Sequence, residues 1–218
     1  MFLDTANTEK IKRIVELGFL EGVTTNPTIL LKQSLAREIQ LKKIASINKK
    51  ITFAQLVGST SKELWDDYRE LVNLKIDTDL GVKVSIDYQG LKFIKELKEQ
   101  HPNQIVLGTA IYSTEQGMLG ALSGCDYLAP YINRMLNNNI DPFDVITNLR
   151  VFIDKKKLNT KIMGASFKNT KQIIEAYTAG ADTVTVPSDL MEQMISKTLA
   201  EDAIKVFNEH GRELEKIT

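Results

Sequence analysis

The sequence is poor in the residues that mark secretion, metal binding and membrane insertion. Its 218 residues include one cysteine, Cys125, which excludes an internal disulfide and is typical of a protein in the reducing cytosol. The two histidines, His101 and His210, lie in polar surroundings without metal-ligand spacing, so we expect no metal site. An apolar segment at the N-terminus and a long uncharged span are both missing, and we therefore predict a cytoplasmic protein without membrane insertion.

Neither sign of charge is in excess. Twenty-eight basic and 28 acidic residues cancel, so no overall field favours nucleic acid or an anionic membrane as a partner. Hydrophobic residues make up 43% of the chain, which is ordinary for a globular protein with a sizeable core. Because no linker-like or low-complexity stretch interrupts the chain, we expect one domain over residues 1–218.

What the sequence does contain is a regular alternation of short apolar runs and longer helical patterns, repeated about eight times. Residues 80–86 are one predicted strand, residues 28–47 one uninterrupted predicted helix, and residues 202–214 an additional amphipathic helix at the end. The pattern predicts an α/β protein of the (β/α)₈ TIM-barrel class with an additional C-terminal helix. The alternative is an open doubly wound sheet, which normally has a glycine-rich turn after its first strand; Asp4-Thr5-Ala6-Asn7 is not such a turn.

A lysine, Lys83, stands in the middle of the apolar run at residues 80–86. Burial disfavours its charged form, and a neutral lysine is a nucleophile that forms a Schiff base with a carbonyl. Lowering its pKa from about 10.4 to about 7.5 requires roughly 4 kcal/mol from the surrounding structure. The structural alternative is a lysine whose tip leaves the barrel or pairs with Asp4 or Asp79.

Polar side chains occur where the other predicted strands end, and in a barrel these ends form the active site. They are Asp4, Thr24, Asn26, Gln55, Thr109, Tyr131 and Ser166. Each alone has a structural explanation as a helix cap or turn residue, but their convergence around one lysine favours a catalytic site. Arg134, Ser166 and Lys168, with backbone amides at the start of the helix after Phe167, predict a phosphate site at the mouth; the alternative is that the two cations are solvated loop residues.

These residues lie in motifs that resemble those of the small single-domain transaldolases and fructose-6-phosphate aldolases. The resemblance runs almost end to end. Its landmarks are Gly22-Val23-Thr24-Thr25-Asn26-Pro27, Phe53-Ala54-Gln55, Val82-Lys83-Val84, Gly108-Thr109-Ala110-Ile111-Tyr112, Ala129-Pro130-Tyr131-Ile132-Asn133-Arg134 and Ala165-Ser166-Phe167-Lys168. The resemblance implies a (β/α)₈ barrel without metal or organic cofactor, a sugar-phosphate substrate and a Schiff base on Lys83.

Three positions separate the two activities of the family. Transaldolases typically carry Glu, Asn and Phe where this sequence has Gln55, Leu107 and Tyr131. These departures resemble the aldolase branch, in which the tyrosine is proposed to handle a proton through a water. The expected activity is therefore cleavage of fructose 6-phosphate, with transaldolase as the alternative. Ser85 and Asp87 stand where the family usually has Pro and Thr, which puts the substrate range in question.

The positions of the polar residues at the strand ends lead to a hypothesis about the role of each. The expected catalytic residues are Lys83, Asp4, Tyr131, Gln55 and Thr109. The expected substrate-binding residues are Thr24, Asn26, Arg134, Ser166 and Lys168. The resemblance implies a homo-oligomer, commonly a decamer of two stacked pentamers, in which the helix at 202–214 docks on a neighbouring subunit instead of its own barrel. Two rivals stay open: a lysine-dependent barrel aldolase for deoxyribose phosphate or pyruvate, and a non-catalytic sugar-phosphate-binding barrel.

Overall fold

Eight short parallel strands close into a ring in the computed structural model, which describes residues 1–217. The strands are β1 Phe2–Asp4, β2 Gly22–Thr24, β3 Ile51–Gln55, β4 Leu80–Ser85, β5 Val106–Ile111, β6 Tyr127–Pro130, β7 Lys161–Gly164 and β8 Thr183–Pro187. Each pairs with its neighbours in chain order, and β8 returns to pair with β1. This closure confirms the predicted TIM barrel and excludes the open sheet.

Helices connect the strands and cover the outside of the ring. They are α1 Thr8–Val15, α2 Pro27–Leu31, α3 Arg37–Ile47, α4 Ser61–Asn73, α5 Tyr88–Gln100, α6 Thr114–Leu122, α7 Ile132–Leu136, α8 Pro142–Lys156, α9 Thr170–Thr178, α10 Ser188–Ile195 and α11 Thr198–Leu214. The main hydrophobic core lies between this layer and the outward faces of the strands, where Val82 and Val84 of β4 are fully buried.

The prediction of one helix over residues 28–47 is wrong, because the chain turns between α2 and α3. Ser34 adopts a left-handed conformation with φ of 53°, which interrupts helical hydrogen bonding. Gln40 then donates from Nε2 to the carbonyls of Leu30 and Leu35, which satisfies groups that the break leaves without helical partners. Tertiary contacts thus override a continuous helical pattern. The short helix α7 was also not predicted.

The interior of the barrel is filled by aromatic rings at the end where the strands begin. Phe2, Phe53 and Tyr127 form a triangle of edge-to-face contacts, with centroid distances of 5.7, 6.0 and 5.6 Å; we call these three residues the floor cluster. Gly81 makes room for it, since a Cβ there would lie 2.4 Å from the Phe53 ring. Phe2 and Phe53 are buried and Tyr127 is partly buried, so the floor cluster fills this end of the barrel with aromatic rings.

The last helix, α11, begins four residues earlier than predicted and carries its apolar side chains on the surface. None of its residues is buried in the described chain; Leu199 is 87% exposed and Phe207 69% exposed. It therefore does not pack its apolar face onto its own barrel. Over residues 1–217, no helix combines the length and the apolar character needed to cross a bilayer.

Candidate active site

Lys83 lies inside the barrel near the end of β4, with only 4% of its surface exposed. Its Nζ donates a hydrogen bond of 2.9 Å to the Thr25 carbonyl, so the amine stays in the interior instead of leaving the barrel or pairing with Asp79. Burial lowers the pKa of Lys83 below its ordinary value, and the nearby charge of Asp4 opposes this effect less strongly. The site therefore favours a neutral, nucleophilic amine.

Asp4, at the end of β1, is the acidic group nearest to this amine in the site. Its Oδ1 accepts a hydrogen bond of 2.7 Å from the Thr24 hydroxyl, whose oxygen lies 2.6 Å from that of Thr185 on β8. Burial raises the pKa of Asp4, and the opposing effects of Lys83 and the Thr24 hydroxyl are smaller. A carboxylate with a raised pKa is suited to accept and return a proton during a reaction.

Tyr131 brings a hydroxyl group to the same space from the end of β6. Its OH lies 2.9 Å from Oγ1 of the fully buried Thr109 on β5, and either group can donate. A backbone bridge between Tyr131 and Ala165 holds the residue against the following strand position. A tyrosine hydroxyl fixed in this way can relay a proton or order a water.

The predicted phosphate residues lie together at the mouth. Arg134 of α7 is exposed, and its guanidinium carbon lies 5.0 Å from the centre of the Tyr131 ring. Ser166 has a left-handed backbone with φ of 62°, and its carbonyl accepts a hydrogen bond from the Asn133 amide. The Lys168 amide already donates to Gln172 Oε1 at 2.8 Å, so this backbone group is not free for an anion as the sequence suggested.

A cavity of about 640 Å³ joins these groups at the ends of the strands. It is lined by Asp4, Asn26, Lys83, Tyr131, Arg134, Ser166 and Lys168. Thr24 and Thr109 stand behind this lining, in hydrogen-bond contact with Asp4 and Tyr131. Predicted side chains from five different strand ends thus line one opening, and Thr109 from a sixth contacts Tyr131 behind it.

Two predicted site residues have structural roles as well. Asn26 lines the cavity, but its Oδ1 caps α2 by accepting from the Ile29 amide, which leaves its amide nitrogen to contact a ligand. Gln55 lies opposite Lys83 in the register of β3 and β4, yet it is outside the lining of the cavity. Its carbonyl accepts a hydrogen bond of 2.7 Å from Arg37.

Several lining residues escaped the sequence analysis, among them Thr185, Asn133 and Lys32. Thr185 was detectable, because it occupies the inward position in the alternating strand Thr183-Val184-Thr185-Val186. Lys32 follows α2, and its place at the mouth depends on the break that the helical pattern concealed. Asn133 lies on the unpredicted α7.

The unusual residues after Lys83, which are Ser85 and Asp87, lie where β4 ends and α5 begins and do not line the cavity. Asp87 caps α5 by accepting a hydrogen bond of 2.8 Å from the Gly90 amide, and Ser85 is the last residue of β4. Aspartate is a favoured N-cap residue, so α5 starts cleanly at Tyr88. The departure from the family pattern thus has a local structural role.

Other reactive groups contribute little to this site. Cys125 is buried, and desolvation raises the pKa of its thiol to about 12, which makes it a poor nucleophile. Across residues 1–217, no three His, Cys, Asp or Glu side chains are grouped closely enough to hold a metal ion. The chemistry that the cavity supports is that of an amine, a carboxyl group and hydroxyl groups.

Comparison with known protein families agrees with this geometry. Residues 1–217 match the family described as transaldolase/fructose-6-phosphate aldolase. The match covers almost the entire sequence, including every strand end that lines the cavity. The chain belongs to the transaldolase/fructose-6-phosphate aldolase family.

Proposed function

We propose that this protein is a class I aldolase that cleaves fructose 6-phosphate to dihydroxyacetone and glyceraldehyde 3-phosphate. The observation that carries the proposal is the buried Lys83, whose pKa is lowered by desolvation at the bottom of a polar cavity. Membership of a family of class I aldolases and transaldolases supports the same chemistry.

The reaction begins with attack of the Lys83 amine on C2 of the ketose. Loss of water gives an iminium ion, which accepts the electron pair of the C3–C4 bond as that bond breaks. A base removes the C4 hydroxyl proton, and the aldehyde product leaves. Asp4, or a water ordered by Thr109 and Tyr131, supplies this base; Gln55, which lies outside the cavity lining, takes no part in this step.

The enamine of dihydroxyacetone then remains attached to Lys83. Asn26 hydrogen-bonds its hydroxyl groups, Thr24 holds Asp4 from behind the cavity lining, and protonation of C3 regenerates the iminium ion. Hydrolysis of this ion releases dihydroxyacetone and the free amine, so that atoms and charges balance over the cycle. Arg134, Ser166 and Lys168 hold the substrate phosphate, which positions the reacting carbons through remote binding energy.

The second candidate is a transaldolase, which keeps the enamine until erythrose 4-phosphate arrives. The hydrogen-bonded pair of Thr109 and Tyr131 favours the aldolase, because a tyrosine hydroxyl can assist protonation of the enamine and a phenylalanine cannot. Free dihydroxyacetone formed from fructose 6-phosphate without acceptor supports the aldolase. Product formation that requires erythrose 4-phosphate supports the transaldolase.

A separate experiment would distinguish the aldolase from a non-catalytic sugar-phosphate-binding barrel. Borohydride reduction in the presence of dihydroxyacetone should leave a covalent adduct on Lys83 if the enzyme forms the Schiff base. The same treatment without dihydroxyacetone is the control. A protein that gains no adduct is not a Schiff-base enzyme.

Tyr131→Phe tests the distinction between the two activities directly. The variant keeps the ring under Arg134 but lacks the hydroxyl, so it should raise the ratio of transfer to cleavage by about tenfold. Both products are measured from one reaction with erythrose 4-phosphate present. An unchanged ratio would remove Tyr131 from this account.

We further propose that α11 docks on a second copy of the chain in a homo-oligomer, which the family resemblance suggests is a decamer. The support is its apolar face, with Leu199 and Phe207 exposed to solvent. Phe207→Ser should lower the mass measured by light scattering, whereas Glu209→Gln on the same helix should not. A wild-type protein that is monomeric would overturn the proposal.

A further inference from the structure

A backbone irregularity in β5 decides which side chains of this strand face the cavity mouth. Gly108 pairs with Leu128 and Ile111 pairs with Pro130, so two residues of β5 oppose the single residue Ala129. One of the two, Ala110, has a left-handed φ of 58°. This is a β-bulge, which bends a strand and shifts the direction of the residues that follow it.

The bulge reverses the alternation of side chains beyond Thr109. Thr109 contacts Tyr131 inside the barrel, and regular alternation would turn Ile111 inward as well. Ile111 is instead buried in the outer core beneath the helices, and the next residue, Tyr112, lies beside the cavity mouth, where it contacts Arg134 and Tyr131. Gln116 of α6 fixes it there by accepting from the Tyr112 amide at 2.9 Å.

Tyr112 contacts both residues that the proposed reaction needs at this side of the mouth. Its hydroxyl accepts a hydrogen bond of 3.2 Å from Nη1 of Arg134, and its ring meets that of Tyr131 edge to face at 5.6 Å. The guanidinium of Arg134 also lies over the Tyr131 ring. The exposed arginine is therefore held from two directions, by a hydroxyl and by an aromatic face.

We propose that Tyr112 is a positioning residue that orients Arg134 for the phosphate of the substrate and thereby favours phosphorylated aldehydes. The inference rests on the proposed aldolase function. A guanidinium has five N–H donors, so the contact with Tyr112 leaves donors for two parallel hydrogen bonds to phosphate. Without Tyr112, the long side chain must be ordered by the ligand itself, which weakens binding.

The variant Tyr112→Phe tests this role, because it removes the hydroxyl and retains the ring against Tyr131. In the synthetic direction with dihydroxyacetone, we expect KM for glyceraldehyde 3-phosphate to rise about two- to tenfold and kcat to change less than about twofold. Kinetics with unphosphorylated glyceraldehyde should not change. Tyr88→Phe is the matched control, since Tyr88 is 80% exposed on α5, and it should affect neither aldehyde.

Binding of inorganic phosphate, measured by calorimetry, provides a readout that does not require catalysis. Tyr112→Phe should weaken it by a similar factor in the wild-type background and should have no further effect once Arg134→Gln is present. The inference is overturned if KM changes equally for both aldehydes, if phosphate binding is unaffected, or if the effect persists without Arg134. A wild-type protein with no aldol activity but with this coupling would refute the proposed function alone.

Discussion

The two halves of the barrel interior are built from the same strands but have opposite character. At the end where the strands begin, the floor cluster of Phe2, Phe53 and Tyr127 fills the interior with aromatic rings. Two positions further along β1 the inward residue is Asp4, and the amine of Lys83 lies at this upper level too. Two residues along a strand, a rise of about 7 Å, thus separate the floor cluster from the polar cavity.

The difference shows where the perturbed pKa of Lys83 originates. The nearest acid, Asp4, stabilises the ammonium form and so acts in the wrong direction for nucleophilic chemistry. Desolvation is the larger effect, and we expect the aromatic rings packed below the amine to contribute to it. The floor cluster is therefore expected to contribute to reactivity as well as to stability.

The largest expected effect is that of Lys83→Met on turnover. Loss of the nucleophile should reduce activity by on the order of 10⁴-fold or more and abolish the borohydride adduct. The free energy of unfolding should stay the same or rise, because methionine is buried without desolvating a charge. Lys161→Met, which replaces a lysine beside the floor residue Tyr127, is the control and should keep full activity. A Lys83→Met protein that still turns over would end the Schiff-base account.

Phe53→Ala tests whether the floor supports the amine. Truncation of this fully buried ring should lower the free energy of unfolding by about 3–5 kcal/mol in urea titrations. Water that enters the space would raise the pKa of Lys83 toward its ordinary value. Because only the neutral amine condenses with dihydroxyacetone, the midpoint for borohydride trapping should move to higher pH. Phe53→Leu should show the same changes to a smaller extent. If Phe53→Ala is destabilised but its pH midpoint for borohydride trapping does not move, the floor cluster does not influence the pKa of Lys83.

Asp4→Asn should move the same midpoint in the opposite direction. The Asp4 charge raises the pKa of Lys83, so its removal lowers that pKa and trapping should begin at lower pH. Turnover should nevertheless fall about 100-fold, since asparagine cannot accept the C4 proton. Thr185→Val removes only the hydroxyl that contacts Thr24, so it should reduce turnover less than Asp4→Asn does. A shift to higher pH for Asp4→Asn would contradict the assigned electrostatics.

The smallest expected effect concerns backbone strain. Ala110 and Ser166, near the carboxyl ends of the strands, both have a left-handed conformation. Glycine adopts the left-handed conformation of Ala110 without strain, so Ala110→Gly should raise the free energy of unfolding by about 0.5–1 kcal/mol. Ala121→Gly in α6 should lower it by about 1 kcal/mol, because glycine is unfavourable inside a helix. If both variants lose stability, Ala110 is not strained.

The order and type of the main elements were predictable because strand and helix periodicities differ and the apolar runs are well separated. The break between α2 and α3 was not, because Ser34 is neither glycine nor proline and the contacts of Gln40 are tertiary. The bulge at Ala110 was hidden for the same reason. In both places the surrounding structure imposes a conformation that the residue itself does not prefer.

Site residues could be predicted from the sequence where a polar side chain stands at the end of a predicted strand. Asp4, Lys83 and Tyr131 were placed in one cavity by topology alone, since strand ends of a barrel meet. Tyr112 was visible only as part of a family motif. Its place at the mouth depends on an extra residue in β5, and alternation along the strand predicts the opposite side for it.

The inaccessible thiol of Cys125 makes this chain convenient for labelling. Since burial keeps that group protonated and unreactive, a cysteine introduced at an exposed position would react alone with a maleimide dye. A fluorophore on the surface of α11 could then report, through energy transfer between differently labelled copies, whether copies of the chain associate as proposed.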